Sequence, residues 1–260
     1  MDLLKLNKKL RLKILETYFN AHAGHIGCSL SCVEILSAVF FEHKKNEDDF
    51  ILSKGHAAVA LYAVLNELGE ITDKELLSFY RNGTSLPAHP APLKYNSIPF
   101  ATGSLGHGFP IGAGIAKANK LNNNKDHVYV LMSDGETNEG TTWEAAHFSV
   151  KHKLDNLILI IDKNKIQGFG KTNDILGDSS AIEKWQVLGF DVLEIDGHNS
   201  DDIINTIQKM KELKNKKPKL IIANTVKGKG VSFMENTVDW HYWPMTDEQY
   251  EQAKSEVVKS

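Results

Sequence analysis

Two positions, Asp134 and Asn164, carry the clearest chemistry in this chain. Ser133-Asp134-Gly135 closes an apolar run from His127 to Met132; a second run, Leu157 to Ile161, ends at Asp162, with Lys163-Asn164 after it. Two parallel strands ending side by side bring Asp134 and Asn164 to one crevice, beyond the carboxyl ends of the strands, where open α/β sheets bind ligands. One carboxylate, one amide oxygen and a nearby backbone carbonyl suit a hard cation that keeps phosphate oxygens as its other ligands. Either residue alone reads as a cap or a turn. The pair, separated by one strand–helix–strand unit, points to a site.

The elements that must hold this pair can be read from periodicity. Residues 3 to 20 place Leu3, Leu6, Leu10, Ile14 and Phe19 on one face of an amphipathic helix. A glycine-bearing loop, His22 to Gly27, leads to a second helix expected over Cys32 to Phe41. Phe50-Ile51-Leu52 reads as a short strand, Ala57 to Leu68 as a closely packed helix, and Thr72 with Glu75 as a capping box. Residues 82 to 103 contain four prolines and little periodicity, the mark of a functional loop, and hold His89. Gly103-Ser104-Leu105-Gly106-His107-Gly108 then opens a helix to about Lys120, an entrance able to accept phosphate. It is not a dinucleotide fingerprint, because no strand precedes it and Gly112-Ala113-Gly114 falls inside the helix. Further on, the spacing predicts strands at His127–Met132, Leu157–Ile161, Val192–Ile195 and Leu220–Ala223. Between and after them it predicts helices at Glu139–Lys153, from Ser180 (capping box with Glu183) to Leu188, at Ser200–Leu213, and from Thr246 with Gln249. The alternation implies an α/β fold, a mainly parallel sheet with helices on both faces. It is expected as a single domain over 1–260, with 226–260 a loop and helix tail.

Asp-Gly followed by Asn at the next strand end resembles the thiamine diphosphate signature, with Ser-Asp-Gly for the usual Gly-Asp-Gly and Lys-Asn for the usual Asn-Asn. Ala23-Gly24-His25, Leu52-Ser53-Lys54-Gly55-His56-Ala57-Ala58, Pro87-Ala88-His89-Pro90, Thr102 to Gly108 and Lys227-Gly228-Lys229-Gly230 occur in the order found in transketolases. The resemblance spans nearly the whole chain but only the first, thiamine diphosphate-binding domain of a transketolase. It implies an N-terminal subunit of a split enzyme that moves a two-carbon ketol group from a ketose to an aldose. It further implies Mg²⁺, or another divalent cation such as Ca²⁺, on Asp134, Asn164 and the carbonyl of Ile166. Cofactor contacts would come from His56, Gly103, Ser104, Leu105, Gly135, Glu139, Asn164 and Lys227, and His25, His56, His89 and His241 would serve as catalytic histidines. Imidazoles suit that task as hydrogen-bond donors to hydroxyls and developing oxyanions near neutral pH. Glu139 resembles a glutamate that links paired cofactor sites, and reads equally as a helix-start carboxylate.

The implied partner is a C-terminal transketolase subunit, whose pyrimidine-binding domain supplies the activating glutamate, with two copies of each chain expected. His107 replaces a frequent family Gln in a loop close to the cofactor. One departure bears on substrate: Trp240-His241 continues as Tyr242-Trp243-Pro244-Met245 where the family usually has Gly and a Lys or Ala. A sugar phosphate, or a modified (sulfonated or branched) sugar, is the expected substrate class. The α-subunit of a 2-oxoacid dehydrogenase shares cofactor and split arrangement, but Lys54-Gly55-His56 and His89-Pro90 argue against it. A non-catalytic scaffold is disfavoured by the metal pair and the histidines.

Composition narrows the field. The chain has 260 residues, a formal net charge of −3 and no segment with massed Lys and Arg, giving no footing for nucleic acid. No apolar run reaches membrane-span length, and Met1-Asp2-Leu3-Leu4-Lys5 lacks a signal-peptide core. Cys28 and Cys32 are too few for a disulfide scaffold and read as reduced thiols, consistent with a cytoplasmic location.

Overall fold

The computed structural model describes residues 2–259; Met1 and Ser260, the ends of the domain expected at 1–260, lie outside them. The strands are β1 (Asp49–Leu52), β2 (Val128–Ser133), β3 (Leu157–Lys163), β4 (Ile166–Gln167), β5 (Gly170–Lys171), β6 (Asp191–Asp196) and β7 (Lys219–Asn224). Five of them form a parallel sheet in the order β1-β2-β3-β7-β6, while β4 and β5 make a small antiparallel ribbon. Successive side chains of a strand point to opposite faces. Tyr129, Leu131, Ile158, Ile160 and Ile221 belong to one buried cluster, and Val130, Met132, Leu159, Ile161 and Ile222 to another. Both faces are covered, which is why these strands read as unbroken apolar runs.

On the first face lie α1 (Leu3–Ala21), α2 (Ile26–Ser31), α3 (Val33–Ala38), α4 (Ala58–Glu67) and, after a single turn α5 (Asp73–Leu76), later α10 (Ser200–Glu212) and α11 (Asp247–Lys259). The second face is covered by α6 (Gly108–Leu121), α7 (Gly140–Lys151) and α9 (Ile182–Leu188), with α8 (Thr172–Leu176) inside the loop after β5. The amphipathic reading of the first helix holds. Leu3, Leu6, Leu10 and Ile14 are buried, and Phe19 stacks on Tyr250 of α11 at 4.2 Å. Both outer capping pairs form, Thr72 with Glu75 and Thr246 with Gln249.

Three local expectations are corrected. The helix expected over Cys32–Phe41 forms as α3 followed by a π-turn at Val39–His43, and an unforeseen short helix, α2, precedes it; the two are separated at Cys32, beside Ser31, whose hydroxyl donates to Asp162. The helix expected to begin at Glu139 begins at Gly140, because a 3-10 turn (Gly135–Asn138) continues β2 and leaves Glu139 as the extended N-cap. The Ser180–Glu183 capping box does not form: Asp178, held by Lys163, accepts both the N–H and the hydroxyl of Ser180, and α9 starts at Ile182. The loop over Lys163–Asp178 contains the β4–β5 ribbon and α8. Residues 82 to 103 are irregular, as expected. Among the described residues no helix is long and apolar enough to cross a membrane.

Candidate active site

The segments leaving β1, β2, β3 and β7 come together on one side of the sheet around a cavity of about 430 Å³. In the sheet register Ser133 faces Asp162 and Lys163 faces Asn224, so Asp134 and Asn164 emerge side by side. Asp134 and Asn164 line one end of the cavity with Gly135 and Ile166. The Asp134 carboxylate is buried and accepts from the N–H groups of Gly135 (3.0 Å) and Lys165 (2.9 Å) and from the Thr172 hydroxyl (2.8 Å). Burial holds its carboxyl above the usual carboxylate range against those hydrogen bonds. Asn164 Oδ1 accepts from the Ile166 N–H at 3.1 Å, fixing the amide oxygen in a tight turn.

His25, His56, His89 and His241 form the other end. The ring centres of His25 lie 5.7, 5.9 and 4.9 Å from those of His56, His89 and His241, and His56 lies 5.5 Å from His241. They arrive from four separate places: the turn before α2, the turn after β1, the proline-rich loop, and a 3-10 turn (Asp239–His241) in the tail. Close packing sets their positions. Gly103 has φ +138°, and a Cβ there would lie 2.8 Å from the His89 ring. The His25 N–H donates to the His241 carbonyl at 3.1 Å. Burial pushes His25, His56 and His241 down to about 4, and also lowers His89. All four imidazoles are therefore uncharged at neutral pH, each with one donor and one acceptor nitrogen.

Leu105, Gly103 and Glu139 also line the cavity, whereas Ser104 is exposed outside it and His107 is exposed with its ring against the Leu105 carbonyl. Cys28 lines the cavity, with Sγ 3.4 Å from His241 Nδ1, and Cys32 is buried; both are free thiols. Lys227 lies beneath the cavity, fully buried, with Nζ 3.1 Å from His241 Nδ1 and 3.3 Å from the Ile166 carbonyl. A lysine ammonium only donates, so His241 Nδ1 accepts and the ring proton sits on Nε2. Three lysines among the described residues are fully buried. Lys54 is paired with Asp162 and Lys219 with Asp191, but Lys227 has no carboxylate within ion-pair distance among the described residues. A buried ammonium with no counter-ion is costly; an anion in the cavity would offset that cost.

Residues 4–258 match the model of the transketolase thiamine diphosphate-binding domain. The chain belongs to the transketolase family. It is 40% identical to one of the subunits of the apulose-4-phosphate transketolase of Phocaeicola vulgatus, over 96% of this chain and 92% of that protein. It is 37% identical to the 6-deoxy-6-sulfo-D-fructose transketolase subunit SqwG of a Clostridium species, over 96% and 94% of the two chains. The transketolase of Leishmania mexicana superposes with a TM-score of 0.91 at 25% identity, over 99% of this chain and 41% of that one. The chain thus spans about two fifths of single-chain transketolases and nearly all of relatives named as one subunit.

The transketolase cofactor fits the residues present. Its diphosphate would meet the unpaired Lys227 ammonium and Gln167 Nε2, a buried donor with no hydrogen-bond partner. Gln167 packs so closely over Gly135 that a Cβ there would lie 2.9 Å from it. Among the described residues no cluster of three or more His, Cys, Asp or Glu side chains could hold a metal ion. The available donors of Asp134, Asn164 and Ile166 are all oxygens, only one of them charged, a set suited to a hard cation that also takes phosphate oxygens.

Two features escaped sequence reasoning. Asp162, beneath the site, binds Lys54, Ser31 and Thr225. Glu136 is fully buried and accepts from the Ser53 hydroxyl and the N–H groups of Gly106 (2.9 Å) and Ser133 (3.3 Å), tying three site loops together. The signal for Glu136 was its place two residues after Asp134, but nothing local distinguishes it from a solvated carboxylate. Burial pushes Glu136 up to about 7, against the hydrogen bond from Ser53. The folded chain therefore binds this proton more tightly than the unfolded chain, and stability falls as pH rises from the ordinary glutamate range towards 7. Glu136→Gln is expected to reduce the loss of stability between pH 5 and pH 7 by about 2 kcal/mol. Urea melts of the cofactor-free protein at those two pH values would check this; equal losses in both proteins would refute it.

Proposed function

We propose that this chain is the diphosphate-binding subunit of a two-chain transketolase that transfers a two-carbon ketol group from a ketose to an aldose. The observation that carries the reading is the division of one cavity. An oxygen-donor pair lines one end and four uncharged imidazoles the other, with the Lys227 ammonium buried beneath, between the Ile166 carbonyl and His241. Asp134, Asn164 and the Ile166 carbonyl would hold Mg²⁺, and Lys227, Gln167 and the Gly135 backbone the diphosphate. Thiamine diphosphate supplies, when bound, the carbon centre that accepts and releases the ketol group. The chain's own part is to orient and to move protons. His241 offers Nε2–H, and His25, His56 and His89 bracket the space where sugar hydroxyls would lie, able to donate or accept without changing charge.

Among the described residues the cavity lining includes no Lys or Arg. This favours a substrate whose phosphate or sulfonate is gripped by the partner chain. The relatives named for apulose 4-phosphate and for 6-deoxy-6-sulfo-D-fructose fit that class of anionic sugar. Both are named as single subunits of a transketolase, which supports a separate second chain. We assign the activating glutamate to that chain, with two copies of each expected in the assembly. Glu139, exposed at the cavity rim, is proposed to reach across to the neighbouring cofactor site. The free thiols favour a reducing compartment, the cytoplasm.

The test is reconstitution. Ketol transfer is expected from the mixed subunits with thiamine diphosphate and Mg²⁺, and none from this chain alone. Full activity without a partner, or decarboxylation of a 2-oxoacid, would overturn the reading. Lys227→Met is expected to weaken thiamine diphosphate binding about 10- to 100-fold. It should leave the cofactor-free protein at least as stable, because it removes an uncompensated charge. Calorimetric titration together with thermal melts would check both; a less stable protein with unchanged affinity would contradict the role.

A further inference from the structure

Beside the histidines, the cavity wall carries Tyr242, whose placement the ketol-transfer reading leaves unexplained. Its backbone is wedged against the loop before His25: a Cβ on Gly24 would lie 2.5 Å from the Tyr242 carbonyl oxygen and 2.9 Å from its carbon. Its ring meets that of His241 edge to face, with centres 4.8 Å apart. Its phenol oxygen sits against Gly168, between β4 and β5, so closely that any Cβ there would overlap it. Tyr242 therefore bridges the gap between the His25 loop and the β4–β5 ribbon, the two flanks of the cleft at its histidine end. Yet it remains 52% exposed, so half of its surface faces open space rather than core. A side chain fixed at the backbone and at the tip, with its flank open beside His241, has the form of a wall.

We propose that Tyr242 is a specificity-determining residue that narrows the sugar end of the cleft and favours short ketoses over long ones. The proposal rests on the ketol-transfer reading and deepens it. A ketose reacting at C2 must lead its remaining carbons outward past the imidazoles, and each added carbon lengthens what must pass the Tyr242 ring. Steric discrimination of this kind is modest per carbon, since one methylene in a pocket changes specificity by about 10- to 200-fold.

The experiment uses the complex with its activating partner subunit, thiamine diphosphate and Mg²⁺, and compares kcat/KM for five-carbon and seven-carbon linear ketose phosphates. Tyr242→Ala is expected to raise the seven-to-five ratio by about tenfold or more, mainly through KM for the longer sugar. Tyr242→Phe, which keeps the bulk, should retain the wild-type ratio. Gly168→Ala should displace the phenol and move the ratio in the same direction as Tyr242→Ala. In the Tyr242→Ala background it should add nothing, a coupling that a general loosening of the loop would not produce. Transfer with an unchanged ratio in Tyr242→Ala, or a full Gly168→Ala effect persisting in the double variant, overturns the wall. A wild-type complex that gives product from no ketose of any length overturns the ketol-transfer reading itself, and the wall with it.

Discussion

Asp134→Asn is expected to abolish cation-dependent retention of thiamine diphosphate while leaving the cofactor-free fold intact or slightly more stable. The two effects have opposite signs for one reason. The carboxylate is buried, and burial makes its charge unfavourable in the absence of a cation, raising its pKa. An amide of the same shape removes that charge, keeps an oxygen for the Lys165 N–H and the Thr172 hydroxyl, and loses only the acceptor for Gly135. With a divalent cation present the balance reverses, since the charged ligand is the one that neutralises it. The loss in cation affinity should be no smaller than the about 10- to 100-fold typical of groups that merely orient a ligand. Because burial raises the Asp134 pKa, protons compete with the cation at higher pH than at an exposed carboxylate, and wild-type affinity should fall on acidification. Titrations with and without Mg²⁺, paired with melts of the cofactor-free protein, would measure both signs. Equal Mg²⁺ dependence in variant and wild type would exclude Asp134 as a ligand.

Asp162→Ala should be the most destabilising single change near the site. Lys54 and Asp162 are both fully buried. The Lys54 ammonium also donates to the Cys28 carbonyl (3.0 Å) and lies 3.4 Å from Ser31 Oγ, and Asp162 accepts from Ser31 (2.5 Å) and Thr225. Burial works against the Lys54 charge, but Asp162 outweighs it and holds the ammonium above the usual lysine range. Removing one partner strands a buried charge, at a cost of about 3–5 kcal/mol. That corresponds to a fall in Tm of roughly 10 °C for a domain of this size. It should also release α2, which carries Cys28 and follows His25, from the end of β3, so cofactor affinity should drop in step. Lys54→Met with Asp162→Leu should recover most of the stability, because an apolar pair leaves no unpaired charge. Thermal melts of the single and double variants would decide: a double variant no better than Asp162→Ala would show that the pair itself, rather than the stranded lysine, sets the cost.

The amino-acid sequence by itself determined the alternating strand and helix order, because both sheet faces are buried and unbroken runs such as Leu157–Ile161 carry that burial in their composition. It also marked Asp134 and Asn164, since position just past a strand's carboxyl end is a local property that survives without coordinates. Local hydrogen-bond competition was harder to read: Ser180 and Glu183 have the spacing of a capping box, but Asp178, anchored by Lys163, takes the serine instead.

Only the tertiary structure decided that Lys227 meets no carboxylate among the described residues while Lys54 has one in Asp162, more than a hundred residues away, and that Glu136 is a buried acid clasping loops from Ser53 and Gly106. It also decided that Tyr242 closes the cleft against Gly168. The physical reason is common to all of them. Periodicity and turn chemistry act over a few residues and leave their trace in order and spacing. The charge state of a buried group, and the wall a side chain presents, depend on neighbours brought together from distant parts of the chain.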